Sequence, residues 1–223
     1  MSLPSQSAEL RSERPIPLLR WLGQVEYHQV WAQMRAFNEE RRSETRDEIW
    51  FLEHEPVFTL GMNGRKEHLL APGSIPVVQT DRGGQVTYHG PGQLVIYPLL
   101  DVRRLRLGVR ELVQALENSV LGWLASRHVA AHARREAPGV YVGNCKLASI
   151  GLRIRRGCSY HGLAINVAMD REPFRRINPC GFAGLEVTDL ATLGIHVEPC
   201  DLARAIAPFL LDALQLPSSL EWA

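Results

Sequence analysis

Apolar residues recur at helical spacing near the start of the chain. Val30, Met34 and Phe37 lie four and three residues apart among charged neighbours. This spacing places them on one face of an amphipathic helix. The pattern therefore predicts a helix within residues 26–46 that packs on a sheet.

Two further helices are predicted later in the chain. Residues 109–127 keep apolar side chains at helical spacing, which predicts a largely core-facing helix. Residues 201–214 repeat the pattern after Asp201, a residue type that favours the N-cap. Pro208 lies inside this last segment and is expected to kink it, because proline lacks the N–H that a helix requires.

Short runs rich in β-branched and aromatic residues predict strands between these helices. IWFL and VFTL, within residues 49–60, are separated by Glu55 and Pro56, which predicts two extended pieces joined by a bend. Residues 76–78 and 93–100 are further strands, and Pro98 predicts that the second ends near a sheet edge. After Gly139, the runs GVYV, LASIGLRI and HGLAINVAM predict a three-stranded meander.

This order of elements predicts the fold class. Helices at both ends of a strand-rich middle favour an α+β fold over a repeating βαβ wind. The 45% hydrophobic content of the 223 residues is enough to fill the core of one domain. We expect a flexible segment at residues 1–15, because it is polar, followed by one domain at 16–223.

Charge and hydropathy exclude several classes of protein. Lys plus Arg number 25 and Asp plus Glu number 24, so the chain lacks the positive field typical of nucleic-acid binding. No run approaches the ~18 apolar residues of a membrane span. Glu9 and Glu13 fit neither a secretory signal nor a transit peptide. These features predict a cytoplasmic protein with no nucleic-acid or membrane partner.

Residues 82–93 pack four glycines and a proline ahead of an apolar strand. Such a segment lets the backbone approach a ligand closely. A hairpin turn would account for the glycines equally well. The segment contains neither G-x-G-x-x-G nor G-x-x-x-x-G-K-[ST], which argues against nucleotide binding.

Cys180 lies in INPCGFAG, a segment broken by proline and glycine, and an exposed loop position suits a nucleophilic thiol. A free thiol of pKa ~8.5 is mostly protonated at neutral pH, so a catalytic cysteine requires a base or a nearby cation. His89, His161 and Lys146 are the candidates. Partial burial at the head of an apolar strand would favour Lys146 as a neutral base, or as the ammonium partner of a thiolate. Spacing does not choose among the three.

The other cysteines and the arginines carry weaker signals. The four cysteines contain no C-x-x-C pair, so we expect reduced thiols, no zinc site and no redox dithiol. The later middle of the chain is locally basic, which indicates either a solvated strand face or a surface that steers an acidic protein partner. The residues concerned are Arg134, Arg135, Arg153, Arg155, Arg156, Arg175 and Arg176.

Several of these segments together resemble the successive signature blocks of the bacterial lipoyl(octanoyl) transferases. The blocks are RGGQVTYHGPGQLVIYPLLD, GVYV followed by KLASIGLRIRRG, YHGLAINV and INPCG, and the resemblance spans roughly residues 48–193. It implies the fold shared by biotin and lipoate protein ligases, a mixed sheet flanked by helices.

The resemblance also assigns the site. It implies that Cys180 is the acyl-accepting nucleophile and that Lys146 activates it. Independently of the resemblance, we expect backbone N–H groups in the glycine-containing turns around Gly181 or Gly151 to stabilise the oxyanion. The resemblance further implies an acyl pocket lined by Arg82, Gly83, Gly84, Gln85, Val86, Thr87, Tyr88, His89, Ser149, Ile150, Gly151, Gly162, Leu163 and Ala164.

The implied reaction moves an octanoyl group from octanoyl-acyl carrier protein, through a Cys180 thioester, to a lysine amine. The implied acceptors are the lipoyl domains of 2-oxoacid dehydrogenase complexes and the glycine cleavage H protein. No metal, ATP or organic cofactor takes part, and a monomer is expected. Three alternatives remain: an ATP-dependent lipoate ligase, a cysteine hydrolase using His161 or His89, and a carrier-protein or lipid-binding module with an inert Cys180.

Overall fold

Strand pairing organises residues 14–223, the part of the chain that the computed structural model describes, into two β-sheets. The strands in chain order are β1 (Leu18–Val25), β2 (Glu48–His54), β3 (Val57–Leu60), β4 (Val77–Gln79), β5 (Val86–His89), β6 (Gln93–Leu99), β7 (His132–Ala133), β8 (Gly139–Val142), β9 (Cys145–Arg155), β10 (Cys158–Asn166) and β11 (Glu221–Trp222). The α-helices are α1 (Tyr27–Glu40), α2 (Val109–Ser126) and α3 (Pro199–Ala213). Short 3₁₀ turns cover Lys66–His68, Glu172–Arg176 and Pro179–Gly181.

The main sheet is mixed. Its strand order is β11-β1-β2-β6-β10-β9-β8-β7, in which β1 runs parallel to β2 and β11 and the other neighbours are antiparallel. The smaller sheet has the order β4-β3-β5. The predicted α+β fold with a mixed sheet flanked by helices is confirmed, and β8, β9 and β10 form the predicted meander.

The helices cover opposite faces of the main sheet. On β6, Leu94 and Ile96 belong to the larger core with α2 and α3, whereas Val95 and Tyr97 belong to a second cluster with α1. This alternation follows from the two-residue period of a strand. Both faces of β6 are therefore buried, which explains its continuous apolar sequence.

The predicted helices are present with shifted ends. The first begins after Glu26, whose carboxylate accepts hydrogen bonds of 2.9 Å from the backbone N–H groups of His28 and Gln29, and it ends at Glu40. The third begins at Pro199 with Glu198 at the N-cap, so the prediction of Asp201 there was wrong. Proline suits the first helical position because its missing N–H has no partner to lose there. The helix continues through Pro208 to Ala213.

The prediction of an edge position for Pro98 was wrong. Strand β6 lies between β2 and β10, but β10 pairs with it only as far as Leu163 opposite Ile96. Beyond that point a Cβ on Gly162 would lie 2.7 Å from Pro98 Cδ, and Ser159 Oγ donates to Pro98 O at 2.6 Å. Strand β10 does not pair with β6 at Pro98, so no ladder hydrogen bond is lost through the missing N–H. The proline is therefore tolerated in a central strand.

The glycine-rich segment is not a hairpin, because β5 lies in the small sheet and β6 in the main sheet. Gly92, at φ +80°, makes the connection, and its N–H donates to Glu53 Oε2 at 2.7 Å. A Cβ there would overlap Ala168 O. Glycine is thus required both by conformation and by close backbone approach.

Most of the predicted flexible segment 1–15 lies outside the described residues. Arg14 is described, and its guanidinium donates to Leu214 O and Leu105 O, both at 3.1 Å. Within residues 14–223, no helix has the combined length and apolar character needed to cross a membrane.

We predict that Gly92→Ala destabilises the fold more than Gly194→Ala. Both glycines have a φ near +80°, but nothing lies within 4 Å of a Cβ on Gly194. Left-handed strain alone costs about 1 to 2 kcal/mol, and the overlap with Ala168 adds to it only at Gly92. Denaturant unfolding measures both changes, and equal losses would contradict the packing argument.

Candidate active site

A cavity of about 410 Å³ lies where β9 and β10 meet the segment that leads into β5. Its floor contains two cross-strand pairs of small residues, Gly151 opposite Gly162 and Ser149 opposite Ala164. Their short side chains leave space above the sheet that larger residues would fill. A Cβ on Gly151 would also lie 2.9 Å from Gly83 O, so the covering segment approaches the sheet at backbone distance.

Cys180 and Lys146 meet at one end of this cavity. Lys146 Nζ lies 2.9 Å from Cys180 Sγ and donates to Pro138 O at 3.1 Å. The lysine side chain is buried, and its Nζ lies 5.3 Å from the centre of the Tyr141 ring. A buried amine with one carbonyl acceptor and one aromatic face is well placed to exchange a proton with the sulfur.

Backbone pairing fixes the position of Lys146 relative to the cysteine segment. The lysine N–H donates to Glu186 O at 2.8 Å, and Thr188 N–H donates to Lys146 O at 3.0 Å. This bridge across Val187 ties the chain that follows Cys180 to the start of β9. The two reactive groups are therefore positioned by main-chain hydrogen bonds as well as by their own contact.

Cys180 is half-buried in the 3₁₀ turn Pro179–Gly181, with φ 56° and ψ 15°. A left-handed conformation at a residue other than glycine costs on the order of 1 to 3 kcal/mol and is often found at functional sites. The Gly181 N–H donates to Asn178 O at 2.9 Å, and Gly151 lies within β9 opposite Gly162. The N–H of Gly181 is therefore engaged within its own turn, and Gly151 lies in a strand and not in the expected turn.

Arg82 shapes the segment that covers the cavity. Its guanidinium donates to Thr59 O at 2.7 Å, Gln85 O at 2.8 Å and Gly83 O at 2.9 Å. Burial lowers the pKa of Arg82, while the negative charge of an ionised Cys180 acts to raise it. The residue is thus a fixed positive charge within electrostatic reach of the thiol.

The structure brings together nearly all of the residues predicted for the pocket. The cavity is lined by Arg82, Gly83, Gly84, Gln85, Val86, Thr87, His89, Ser149, Ile150, Gly151, Gly162, Leu163 and Ala164, together with Cys180. Tyr88 is not part of the lining, and its ring packs against Phe58 and Phe174 beside the small sheet. Its placement in the pocket was therefore wrong.

Four polar rings line the cavity, those of Tyr27, Tyr97, His89 and His161, and each residue is at least 90% buried. His89 was predicted for the pocket and His161 only as a candidate base, whereas Tyr27 and Tyr97 were not predicted for the site. Tyr97 stands in the apolar run QLVIYPLL, where a polar atom at a buried position is the signal that was available. Further lining residues come from α2 and from the segment before β8, namely Val109, Val113, Glu136, Ala137 and Pro138.

His161 belongs to a hydrogen-bonded group around Asp81. Its Nε2 lies 3.0 Å from Asp81 Oδ1, and Trp31 Nε1 and the Tyr160 hydroxyl also donate to this carboxylate. Although burial opposes ionisation, these donors hold the pKa of Asp81 well below its usual range. Burial in turn lowers the pKa of His161. The neutral imidazole therefore donates through Nε2 and faces the Tyr27 hydroxyl, 3.5 Å away, through Nδ1.

His54 and His89 are also held neutral. His54 donates through Nδ1 to Val25 O at 3.0 Å and accepts from the Tyr97 hydroxyl at 2.7 Å. Burial lowers the pKa of His54 to about 4 and that of His89 well below its usual range. His89 Nδ1 donates to Gln93 Oε1 at 2.7 Å. Among the described residues, the hydrogen bond to Cys180 Sγ comes from Lys146 and not from a histidine.

Solved structures of similar fold include lipoate and biotin protein ligases. The chain superimposes on a putative lipoate protein ligase from T. acidophilum with a TM-score of 0.73, covering 94% of this chain and 90% of that one at 13% identity. It matches the biotin protein ligase from Aquifex aeolicus with a TM-score of 0.54, over 90% and 70% of the two chains at 15% identity. These likenesses show the fold of lipoate and biotin protein ligases.

Comparison of sequences gives relatives of much higher identity than these solved structures. Residues 26–209 fit the lipoyl protein ligase A/B catalytic domain. An octanoyltransferase from Alkalilimnicola ehrlichii is 57% identical over 204 residues, which cover 90% of this chain and 95% of that protein. One from Hahella chejuensis is 60% identical over 78% of this chain and 77% of its own. The chain therefore belongs to the lipoyl protein ligase A/B catalytic-domain family, and these relatives at 57 to 60% identity are octanoyltransferases.

We predict that removing the titration of His54 flattens the pH dependence of stability. The folded pKa of about 4 lies below the ordinary value of 6.5, so the unfolded chain binds a proton that the folded chain does not. Stability is complete above pH 6.5 and falls as the pH approaches 4, by about 1.4 kcal/mol per unit of pKa difference. Denaturant unfolding of His54→Gln should show a smaller loss between pH 7 and 4.5.

The control for this experiment is His196→Gln, which changes an exposed histidine. Its pH dependence should match that of the unmodified protein. A slope for His54→Gln equal to that of the control would show that His54 does not carry the effect.

Proposed function

We propose that this chain is an octanoyltransferase that moves an octanoyl group from octanoyl-acyl carrier protein to the lysine amine of a lipoyl domain, through a thioester on Cys180. The observation that carries the proposal is the 2.9 Å contact between Lys146 Nζ and Cys180 Sγ beside a cavity of about 410 Å³. The octanoyltransferase relatives at 57 to 60% identity support the acyl group.

In the first half of the reaction, the Cys180 thiol transfers its proton to Lys146. The sulfur attacks the carbonyl carbon of the octanoyl thioester, and the bond to the carrier sulfur breaks. The ammonium of Lys146 returns the proton to the departing thiolate. One thioester replaces another, so the step is close to isoenergetic.

In the second half, the neutral amine of the acceptor lysine attacks the Cys180 thioester. The C–N bond forms as the bond to Cys180 Sγ breaks, and Lys146 relays the amine proton toward the cysteine sulfur. Because an amide is more stable than a thioester, this transfer requires no ATP.

The cavity suits an acyl chain because its floor is made of small residues. At ~0.8 kcal/mol for each buried methylene, the seven carbons beyond the carbonyl contribute about 5 to 6 kcal/mol of gross binding. Binding of this size keeps the acyl chain in the cavity while the carrier protein leaves Cys180 and the acceptor lysine approaches it.

A second cavity of about 370 Å³ offers a route for the carrier arm and the acceptor lysine. It shares Glu136 and Ala137 with the acyl cavity and extends along the segment that follows Cys180. Arg134 lines it and stacks on the Tyr141 ring at 4.3 Å. Arg134 has no carboxylate partner among residues 14–223, whereas Arg155 and Arg176 pair with Glu39 and Glu172.

The family and this surface support the proposed partners. An acidic carrier or lipoyl domain would place its charge near Arg134. A solved structure of similar fold is described as a bipartite lipoate protein ligase and its E2 lipoyl domain, which supports a lipoyl-domain acceptor. The cytoplasmic location, the monomeric state and the absence of a cofactor stay predictions from the resemblance.

The ATP-dependent ligase is the second candidate function, since a lipoate-protein ligase bound with ATP shares the fold at a TM-score of 0.68. A ligase requires ATP and does not require the Cys180–Lys146 contact. A cysteine hydrolase would release free octanoate even when an acceptor is present.

The test is intact-mass analysis after incubation with octanoyl-acyl carrier protein, without ATP. We expect one octanoyl adduct that hydroxylamine removes, and none in Cys180→Ser. Lys146→Met should slow acylation by about 100-fold or more, the usual size of a general acid–base contribution. Adding a lipoyl domain should then discharge the adduct as an amide.

Cys145→Ser is the matched control, because Cys145 is next to Lys146 in sequence while its thiol lies 3.5 Å from Glu186 Oε2. This variant should form the adduct at the normal rate. An adduct that persists in Cys180→Ser, or transfer that begins only when ATP is added, would contradict the proposal.

We predict that Arg134→Glu weakens use of the carrier protein. Reversing this unpaired charge should raise KM for octanoyl-acyl carrier protein several-fold and leave kcat nearly unchanged, with the difference shrinking at high salt. Arg156→Glu is the control, since Arg156 follows the far end of β9, about 33 Å from Lys146 at 3.3 Å per residue. Equal effects of the two variants would show that Arg134 has no special role.

A further inference from the structure

A row of registered residues crosses the main sheet beneath the cavity. Gly139 on β8 pairs with Ser149 on β9, which pairs with Ala164 on β10, which pairs with Val95 on β6. The last three line the cavity. Pro138, whose carbonyl accepts from Lys146, directly precedes the first. The cavity thus runs across the strands, from the thiol toward β6.

The two ends of this path differ in exposure. At the thiol end, Val109, Glu136 and Pro138 are exposed to solvent. At the β6 end, Tyr27, Tyr97 and His161 are between 1% and 3% exposed. The β6 end is therefore the closed end of the cavity.

The closed end is built from polar side chains that bind one another. The Tyr97 hydroxyl donates to His54, and His161 joins Tyr27 to Asp81. Burial raises the pKa of both tyrosines and lowers that of both histidines, so all four rings are neutral. Neutral rings that are already hydrogen-bonded can face a methyl terminus without a large desolvation cost.

We propose that Tyr27 and Tyr97, held in place by His161 and His54, form the stop that sets the length of the acyl chain this enzyme transfers. The inference rests on the proposed function and adds the residues that determine its substrate. A longer chain would have to displace a tyrosine ring and leave a buried imidazole without its partner, which is costly. An apolar wall would yield by changing rotamers, whereas this one resists displacement.

The dimensions agree with a chain of about eight carbons. Neighbouring strands are about 4.8 Å apart, so the three steps from β8 to β6 span roughly 14 Å. With C–C bonds of about 1.5 Å, an extended eight-carbon chain spans roughly 9 Å. The part of the β8-to-β6 distance that the acyl chain does not fill is occupied by the thioester at one end and by the tyrosine rings at the other.

The experiment measures single-turnover acylation of Cys180 by intact mass, with C6, C8, C10 and C12 acyl-carrier thioesters. The unmodified protein should prefer C8. Tyr97→Val shortens the wall and should raise the C10-to-C8 rate ratio by about 10-fold, the usual effect of one to two methylenes in a pocket. Ala164→Val fills the path before the stop and should shift the preference the other way, toward C6.

Two controls distinguish the effect of changing the tyrosine stop from the effect of a general loss of packing in the protein. Val120→Ala removes buried volume from α2 at a residue that does not line the cavity and should leave the ratios between chain lengths unchanged. Tyr97→Phe keeps the ring but releases His54, and should give an intermediate C10-to-C8 ratio. Thermal unfolding of each variant identifies any that do not fold, in which case Ala164→Val and Tyr97→Phe decide the question.

The outcomes distinguish this inference from the proposed function. If the unmodified protein forms no adduct with any thioester, the proposed function fails. If it forms the C8 adduct but Tyr97→Val, Tyr97→Phe and Ala164→Val keep its length profile, the acyltransferase stands and the tyrosine stop is wrong.

Discussion

The contact between a buried lysine amine and a cysteine thiol is the interaction around which the site is built. Burying Lys146 demands partners, and the structure provides the Pro138 carbonyl, the Tyr141 ring and the Cys180 sulfur. Gly139 leaves room for the lysine chain, since a Cβ there would lie 2.9 Å from Lys146 Cε. Strand β8 thus has a glycine at the position where the Lys146 side chain of the neighbouring strand β9 needs space.

Helical spacing of apolar residues predicted the helices, because one face of each is buried. Continuous apolar runs predicted the central strands, because both faces of the main sheet are buried. Strand β1 escaped prediction because Arg20 and Gln24 interrupt its apolar pattern and most of its residues are only half-buried. Pro98 and Tyr88 were misplaced for a different reason. Their positions depend on where β10 separates from β6 and on which sheet receives β5, and both are tertiary facts that local sequence does not carry.

The candidate site could be predicted only in part from residue types. Spacing alone left Lys146, His89 and His161 as equal candidates to activate the thiol, and only the resemblance separated them. The structure supplies the physical reason, because both histidines are engaged by Gln93 and Asp81 while the lysine reaches the sulfur. The buried tyrosines were overlooked because polar atoms inside apolar runs are usually satisfied within the core.

The bridge between Lys146 and Val187 has a consequence for folding. The amine and the thiol are separated by 34 residues and approach each other only when the segment after Cys180 has paired with β9. Local structure in the unfolded ensemble cannot create that proximity, because loop closure must precede it. Recovery of thiol reactivity during refolding would therefore follow the completion of native long-range contacts and lag behind the appearance of helices.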